Sequence, residues 1–151
     1  MTRVLVLQGP NLDLLGTRQP ELYGHRTLDD IHADLAARAA ELGLGIDFFQ
    51  SNHEGALIDR LHQRDFDVAI VNAGGLTHTS VSLRDALLGV GRPFIEVHLT
   101  DPSRREAFRQ VDYLEDIALA SIVGQGDRGY LLALEAIAER DRADGPPSGD
   151  G

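Results

Sequence analysis

Two pairs of side chains in this sequence have the types and spacing that acid–base chemistry needs. Glu96 stands in the apolar run Phe94-Ile95-Glu96-Val97, and His98 follows at its end. Alternation along a strand points both side chains to one face, where a carboxylate can set the tautomer of an imidazole and raise its pKa. The result is a proton donor for a leaving hydroxyl. The same spacing also suits a structural Glu–His pair that meets no ligand. The second pair is Arg18 and Tyr23, in a stretch from Gly16 to Gly24 that also holds Pro20. That composition suits a loop carrying polar groups over a substrate. A phenol ordinarily titrates at about pH 10, but a neighbouring guanidinium stabilises the phenolate, so the pair can act as a base nearer neutrality. A loop tyrosine equally serves to pack or cap, and spacing alone does not decide between the two.

Other segments could complete a pocket around these groups. Residues 72–80, NAGGLTHTS, form a glycine-rich turn whose small residues let a ligand approach backbone amides, which suits a carboxylate or phosphate. The turn is neither G-x-x-x-x-G-K-[ST] nor G-x-G-x-x-G, so nucleotide binding is a poor fit, and Ser80 lacks the G-x-S-x-G surroundings of a hydrolase nucleophile. Arg104, Arg105 and Arg109 follow His98. On a short helix, positions 105 and 109 would share a face and supply cations for an anionic substrate, with Arg109 the stronger candidate, or they would form a solvated face paired with Glu106. His53 beside Glu54, and His78 with His98, lack the H-E-x-x-H spacing of a metal site, so no metal is expected. His25, His32 and His62 read as surface residues.

Behind these segments lies an alternation of short apolar runs and amphipathic stretches. Val4-Leu5-Val6-Leu7, bounded by Gly9-Pro10, reads as a buried strand. Thr27 to Leu42 places Leu28, Ile31, Leu35, Ala39 and Leu42 at helical spacing, with Thr27 as cap, Asp29 and Asp30 in the first turn, and Gly43 as stop. Then come a strand Ile46-Asp47-Phe48-Phe49, a helix from about Glu54 to Arg64, a strand Val68-Ala69-Ile70-Val71 and a helix from about Ser80 to Val90. The strand carrying Glu96 and His98 is followed by a helix near Ser103 to Gln110, a short strand Ala120-Ser121-Ile122-Val123 and a helix from Tyr130 to Arg140. Continuous apolar strands alternating with helices imply α/β architecture, a flavodoxin-like three-layer sandwich around a five-stranded parallel sheet. In such sheets the ligand crevice lies beyond the carboxyl ends of the strands, where the polar segments fall. Residues 1–140 make a single domain, and 141–151, DRADGPPSGDG, read as a disordered tail.

Composition narrows the chemistry further. The 151 residues include no cysteine, which excludes disulfides and thiol chemistry and points to a reducing cytoplasm. All 14 basic residues are arginine, so no lysine amine can form a Schiff base, and carbonyl chemistry must run through an enol or enolate. A net charge of −10 argues against nucleic acid or an anionic membrane as partner. The N-terminal apolar run is too short for a signal peptide or a membrane span.

Taken together, GPNLDLLGTRQPELYG (9–24), QSNHEGALID (50–59), NAGGLTHTSVSLRDAL (72–87), EVHLTDPSRREAFR (96–109) and GQGDRGYLLAL (124–134) resemble the type II 3-dehydroquinate dehydratases in order and spacing, to about Arg140. The resemblance implies a hydro-lyase of the shikimate route to chorismate and the aromatic amino acids. It would remove water from 3-dehydroquinate to give 3-dehydroshikimate through an enolate, with no cofactor. By the same resemblance Tyr23 would abstract the proton alpha to the ketone, Arg18 would lower its pKa, His98 would protonate the departing hydroxyl, Glu96 would orient His98, and Asn11 would help hold a water at the enolate oxygen. Substrate contacts would fall on Asn72, His78, Asp85, the Leu99–Thr100 backbone and Arg109, with Arg105 in support. The implied assembly is a homododecamer, a tetramer of trimers, in which Asp85 could reach a neighbouring subunit's ligand. Asp13, Ala73, Gly75, Asp101 and Asp112 depart from the usual family pattern, the last replacing a common serine. Two other readings compete: a binding or signalling domain of this fold holding a flavin or small anion, and an enzyme of this fold for another hydroxylated carboxylic acid.

Overall fold

The computed structural model describes residues 1–17, 21 and 25–144. Strands β1 (Arg3–Gln8), β2 (Gly45–Gln50), β3 (Val68–Asn72), β4 (Phe94–His98) and β5 (Ala120–Val123) form one parallel sheet in the order β2-β1-β3-β4-β5. The long helices are α1 (Leu28–Leu42), α2 (Glu54–His62), α3 (Val81–Val90) and α4 (Arg128–Asp144). This is the expected flavodoxin-like order.

The layers follow from alternation within apolar strands. Along β1, Val4 and Val6 point into a core shared with Ile31 and Leu35 of α1 and Leu134 and Ile137 of α4. Leu5 and Leu7 point the other way, against Leu57 and Leu61 of α2 and Leu83 and Leu87 of α3. A strand buried on both faces needs apolar residues at successive positions, which is why these runs lack the polar alternation of a half-exposed sheet. Helix α1 begins in the expected capping box: Thr27 Oγ1 accepts the Asp30 N–H at 3.1 Å, and the Asp30 carboxylate accepts the Thr27 N–H at 3.0 Å. Gly43 ends it in the left-handed conformation at φ 72°.

Three local expectations are corrected. The segment expected as one helix near Ser103 to Gln110 is two 3-10 turns, Pro102–Arg104 and Ala107–Gln110, separated by Arg105 in an extended conformation. Asp101 caps the first turn through the Ser103 N–H, so the chain starts helically but breaks before a second turn forms. The helix expected to end at Arg140 runs to Asp144, so residues 141–144 of the expected tail are helical, while 145–151 lie outside the described residues. His32 is no ordinary surface residue. Its Nε2 lies 2.6 Å from Gln8 Oε1 and its ring stacks on Phe48 at 4.1 Å, and burial lowers its pKa. His25 and His62 are exposed as expected.

Where β1 and β3 end side by side, their outgoing loops approach closely. The Gly9 N–H donates to the Asn72 carbonyl at 2.8 Å, and a Cβ on Gly9 would lie 2.3 Å from the Ala73 carbonyl oxygen. Gly74, at φ +60°, packs in turn on the Pro10 carbonyl. Gly9→Ala should therefore force the two loops apart and lower stability by about 1–3 kcal/mol, read from the midpoint of urea denaturation. An unchanged midpoint would show that the loops need not touch.

Candidate active site

The loops after β1, β3 and β4 converge on a cleft of about 130 Å³ lined by Asn11, Asn72, His78, His98, Arg105 and Arg109, among others. The cleft lies at the switch point where crossovers leave β1 and β3 in opposite directions, beyond the carboxyl ends of the strands. Leu99 and Thr100, directly after β4, also line it, as do Gly74 and Gly75. A short 3-10 turn, Gly74–His78, borders the cleft there. The N-terminus of α3 is capped separately, by Ser80 Oγ accepting the Leu83 N–H. That hydroxyl donates to Glu54 at 2.5 Å, a structural role rather than that of a nucleophile.

Asn11 takes the left-handed conformation at φ 70°, which asparagine tolerates better than most residues. Its N–H donates to Asn52 Oδ1 at 2.9 Å, and Gln50 donates to both that oxygen and the Gly9 carbonyl. The 50–55 segment therefore braces the loop that carries Asn11. Asn72, almost fully buried, donates through Nδ2 to the Tyr130 hydroxyl at 2.9 Å and accepts the Gly74 N–H through Oδ1 at 3.2 Å. These two bonds fix which way its amide faces. Tyr130 is wholly buried, and burial pushes its phenol up to about 12, so it stays neutral.

Glu96 and His98 do share a face of β4, as alternation requires, and both are buried. His98 Nε2 lies 2.9 Å from Glu96 Oε2, an ion-pair contact whose N–H is not aligned as a hydrogen bond. The other Glu96 oxygen accepts the Ser121 hydroxyl from β5 at 2.5 Å. Asp112 adds what the sequence reading did not find, an oxygen 3.5 Å from the same Nε2. Burial disfavours charge on the imidazole, but contacts with Asp112 and Glu96 outweigh it and lift His98 to about 9. Burial also raises the Glu96 carboxyl above its ordinary value, with His98 pulling the other way. These three residues each offer one donor atom within 4.8 Å of the others, the group among the described residues that could surround a cation.

His78 Nδ1 donates to the Val111 carbonyl at 2.6 Å, which fixes its tautomer, and its ring lies 6.5 Å from that of His98. Arg105 and Arg109 both line the cleft although no continuous helix joins them. Arg109 Nε donates to Glu106 at 2.6 Å, so the local pairing and the cleft position hold together. Asp85 is exposed on α3 and does not line the cleft of its own chain. Arg18 and Tyr23 lie outside the described residues.

Known proteins resemble this chain in sequence and in fold. The family model described as dehydroquinase class II matches residues 2–138. A protein named 3-dehydroquinate dehydratase from Acinetobacter baumannii is 51% identical over 146 residues, 95% of this chain and 97% of its own length. Another of that name, from Francisella tularensis subsp. novicida, is 54% identical over 135 residues, 89% of this chain and 93% of its own. Among solved structures, the type II dehydroquinase of Butyrivibrio crossotus superposes with a TM-score of 0.87 at 34% identity, covering 90% of this chain and 97% of its own. Matched over nearly its whole length in sequence and in fold, this chain belongs to the class II dehydroquinase family.

Proposed function

We propose that this protein is a 3-dehydroquinate dehydratase, a hydro-lyase that removes water from 3-dehydroquinate to give 3-dehydroshikimate in the shikimate route. The observation that carries the reading is the buried imidazole of His98 on the cleft wall, its Nε2 turned to carboxylates and its pKa raised to about 9. Such a group remains a proton donor at neutral pH, which loss of a hydroxyl as water demands. The ketone acidifies the carbon beside it. Tyr23, as a phenolate whose pKa Arg18 lowers, takes a proton from that carbon, and the electron pair of the broken C–H bond moves to the ketone oxygen as an enolate. Asn11 holds a water against that oxygen. The enolate then collapses into a double bond conjugated with the re-formed ketone, and the hydroxyl on the next carbon leaves with the proton of His98. Glu96 orients that imidazole. Asn72, His78 and the Leu99–Thr100 backbone hold the substrate's polar groups, and Arg109, supported by Arg105, holds its carboxylate.

No step needs a cofactor or an amine, in keeping with a chain that has no lysine. We also assign no metal. His98 Nε2 and Glu96 Oε2 stand 2.9 Å apart, closer than two ligands of tetrahedral zinc, which stand roughly 3.3 Å apart at ordinary bond lengths. The working compartment in this reading is the cytoplasm, since a chain without cysteine gains nothing from an oxidising one. Among the described residues no helix is long and apolar enough to cross a membrane.

Our reading of the assembly is a homododecamer built as a tetramer of trimers. In its support, Val81, Asp85 and Leu88 recur at i, i+4 and i+7 on α3, and the two apolar members are 50% and 53% exposed. Covered by a second copy, that face would carry Asp85 toward a neighbour's cleft. Leu88→Arg should dissociate the assembly, seen as a lower mass in sedimentation. An unchanged mass would clear this face of the role.

The enzymatic reading is tested by the ultraviolet absorbance of the conjugated enone after mixing with 3-dehydroquinate. Turnover should survive borohydride pretreatment, because no imine forms. No absorbance change with folded, assembled protein would refute the assignment. Tyr23→Phe keeps the ring and removes the base, so turnover should fall by about a thousandfold, at the scale of general-base catalysis, while substrate still binds in calorimetry. Turnover within a few-fold of wild type would release Tyr23 from the role.

A further inference from the structure

His98 faces carboxylates from two directions, and the second belongs to a residue with no role in the proton transfers described above. Asp112 follows the 3-10 turn that bears Arg109. Its Oδ1 accepts the N–H groups of Leu114 at 2.8 Å and Glu115 at 3.1 Å, which locks the side chain. Leu114 is fully buried in the core against α2 and α3, so the anchoring point is rigid. The other oxygen, Oδ2, is thereby aimed at His98 Nε2, 3.5 Å away. Glu96 does the same from β4, with one oxygen tied to Ser121 and the other on Nε2.

We propose that Asp112 is a positioning residue of the reaction: it supplies the standing negative charge that keeps His98 a cation, while Glu96 chiefly orients the ring. The inference rests on the reading of His98 as the acid.

The two carboxylates differ in what stabilises their charge. Asp112 accepts two backbone N–H groups and remains partly open to water. Glu96 accepts one hydroxyl and has no exposure at all. A buried group with fewer donors is the costlier place for a charge. The titration tendencies agree. Burial acts to raise Asp112, but His98, Glu96 and the Leu114 N–H hold it down at about 2, whereas burial dominates at Glu96 and raises it. Of the other ionisable groups around His98, His78 stacks alongside at 6.5 Å, with its own Nδ1 committed to Val111. Arg105 and Arg109 on the cleft wall oppose a cation, and both approach Glu106, at 3.9 and 2.6 Å. Asp101 and Glu115 line the adjoining cleft that Asp112 and Glu96 share, and favour a cation more weakly. Asp112 is thus the contact whose charge is the better stabilised, and it offsets the arginines.

The sign follows from the chemistry. His98 must be protonated to donate, so activity falls as pH rises through its pKa, and removing the Asp112 charge should bring that fall to lower pH. Asp112→Asn keeps an oxygen for the Leu114 and Glu115 N–H groups and removes the charge. Its kcat should follow a basic limb displaced downward by about one pH unit, so that the deficit against wild type grows about fivefold between neutral pH and pH 9. A purely structural role would lower kcat by one factor at every pH, and that result would overturn the proposal. Histidine NMR reads the group directly. Wild-type His98 should titrate near 9, and in Asp112→Asn about one unit lower. Wild-type titration at the ordinary imidazole value refutes the proposal without any variant, should Asp112→Asn or Asp112→Ser fail to fold. If the NMR value moves and the kinetic limb does not, Asp112 controls His98 as proposed, and the assignment of His98 as the acid is what fails.

Discussion

Every feature of the site depends on one constraint, the parallel pairing of β1 with β3 while their crossovers depart to opposite faces of the sheet. Parallel strands bring their carboxyl ends to one edge, and opposed crossovers leave a gap between the loops. The pairing Gln8↔Asn72 sets those loops level, and Gly9 allows the contact that keeps them so. β4 then pairs with β3 on its outer side, with Val71 opposite Glu96, and carries His98 to the same edge. Asn11, Asn72 and His98 are each held by a partner on another segment.

Electrostatically the site runs against the composition of the chain. A protein of net charge −10 sets Arg105 and Arg109 at a cleft whose far wall hides two carboxylates behind an imidazole. Acidic groups that would repel substrate are turned inward and spent on His98. The guanidinium of Arg109, over the Phe108 ring at 5.2 Å and bonded to Glu106, is held in place before any ligand arrives.

The strands and most helices were legible because burial on both faces leaves an apolar run that few other structures explain, and because Thr27 and Gly43 mark α1 through local hydrogen bonding and backbone conformation. Glu96 and His98 were legible for a similar reason, since a period of two carries side-chain direction. The helix expected after His98 failed because arginine spacing says nothing about the backbone break at Arg105. His32 and Asp112 were invisible for another reason: their partners, Gln8 and His98, lie 24 and 14 positions away and meet them only through the tertiary fold. A departure from a familiar pattern at Asp112 was the only available signal, and it carried no geometry. The roles given to Arg18 and Tyr23, which lie outside the described residues, rest on resemblance.

The bond between Tyr130 and Asn72 makes the cleft answerable to the far side of the protein. Tyr130 sits at the start of α4, among core residues, with Gln8 beside it, and neither of these lines the cleft. Yet the Tyr130 hydroxyl, together with the Gly74 N–H, holds the asparagine amide in the orientation it presents at the cleft. Anyone building variant libraries to retarget this pocket would gain by randomising positions that touch no ligand, because part of what the pocket recognises is written in the packing behind it.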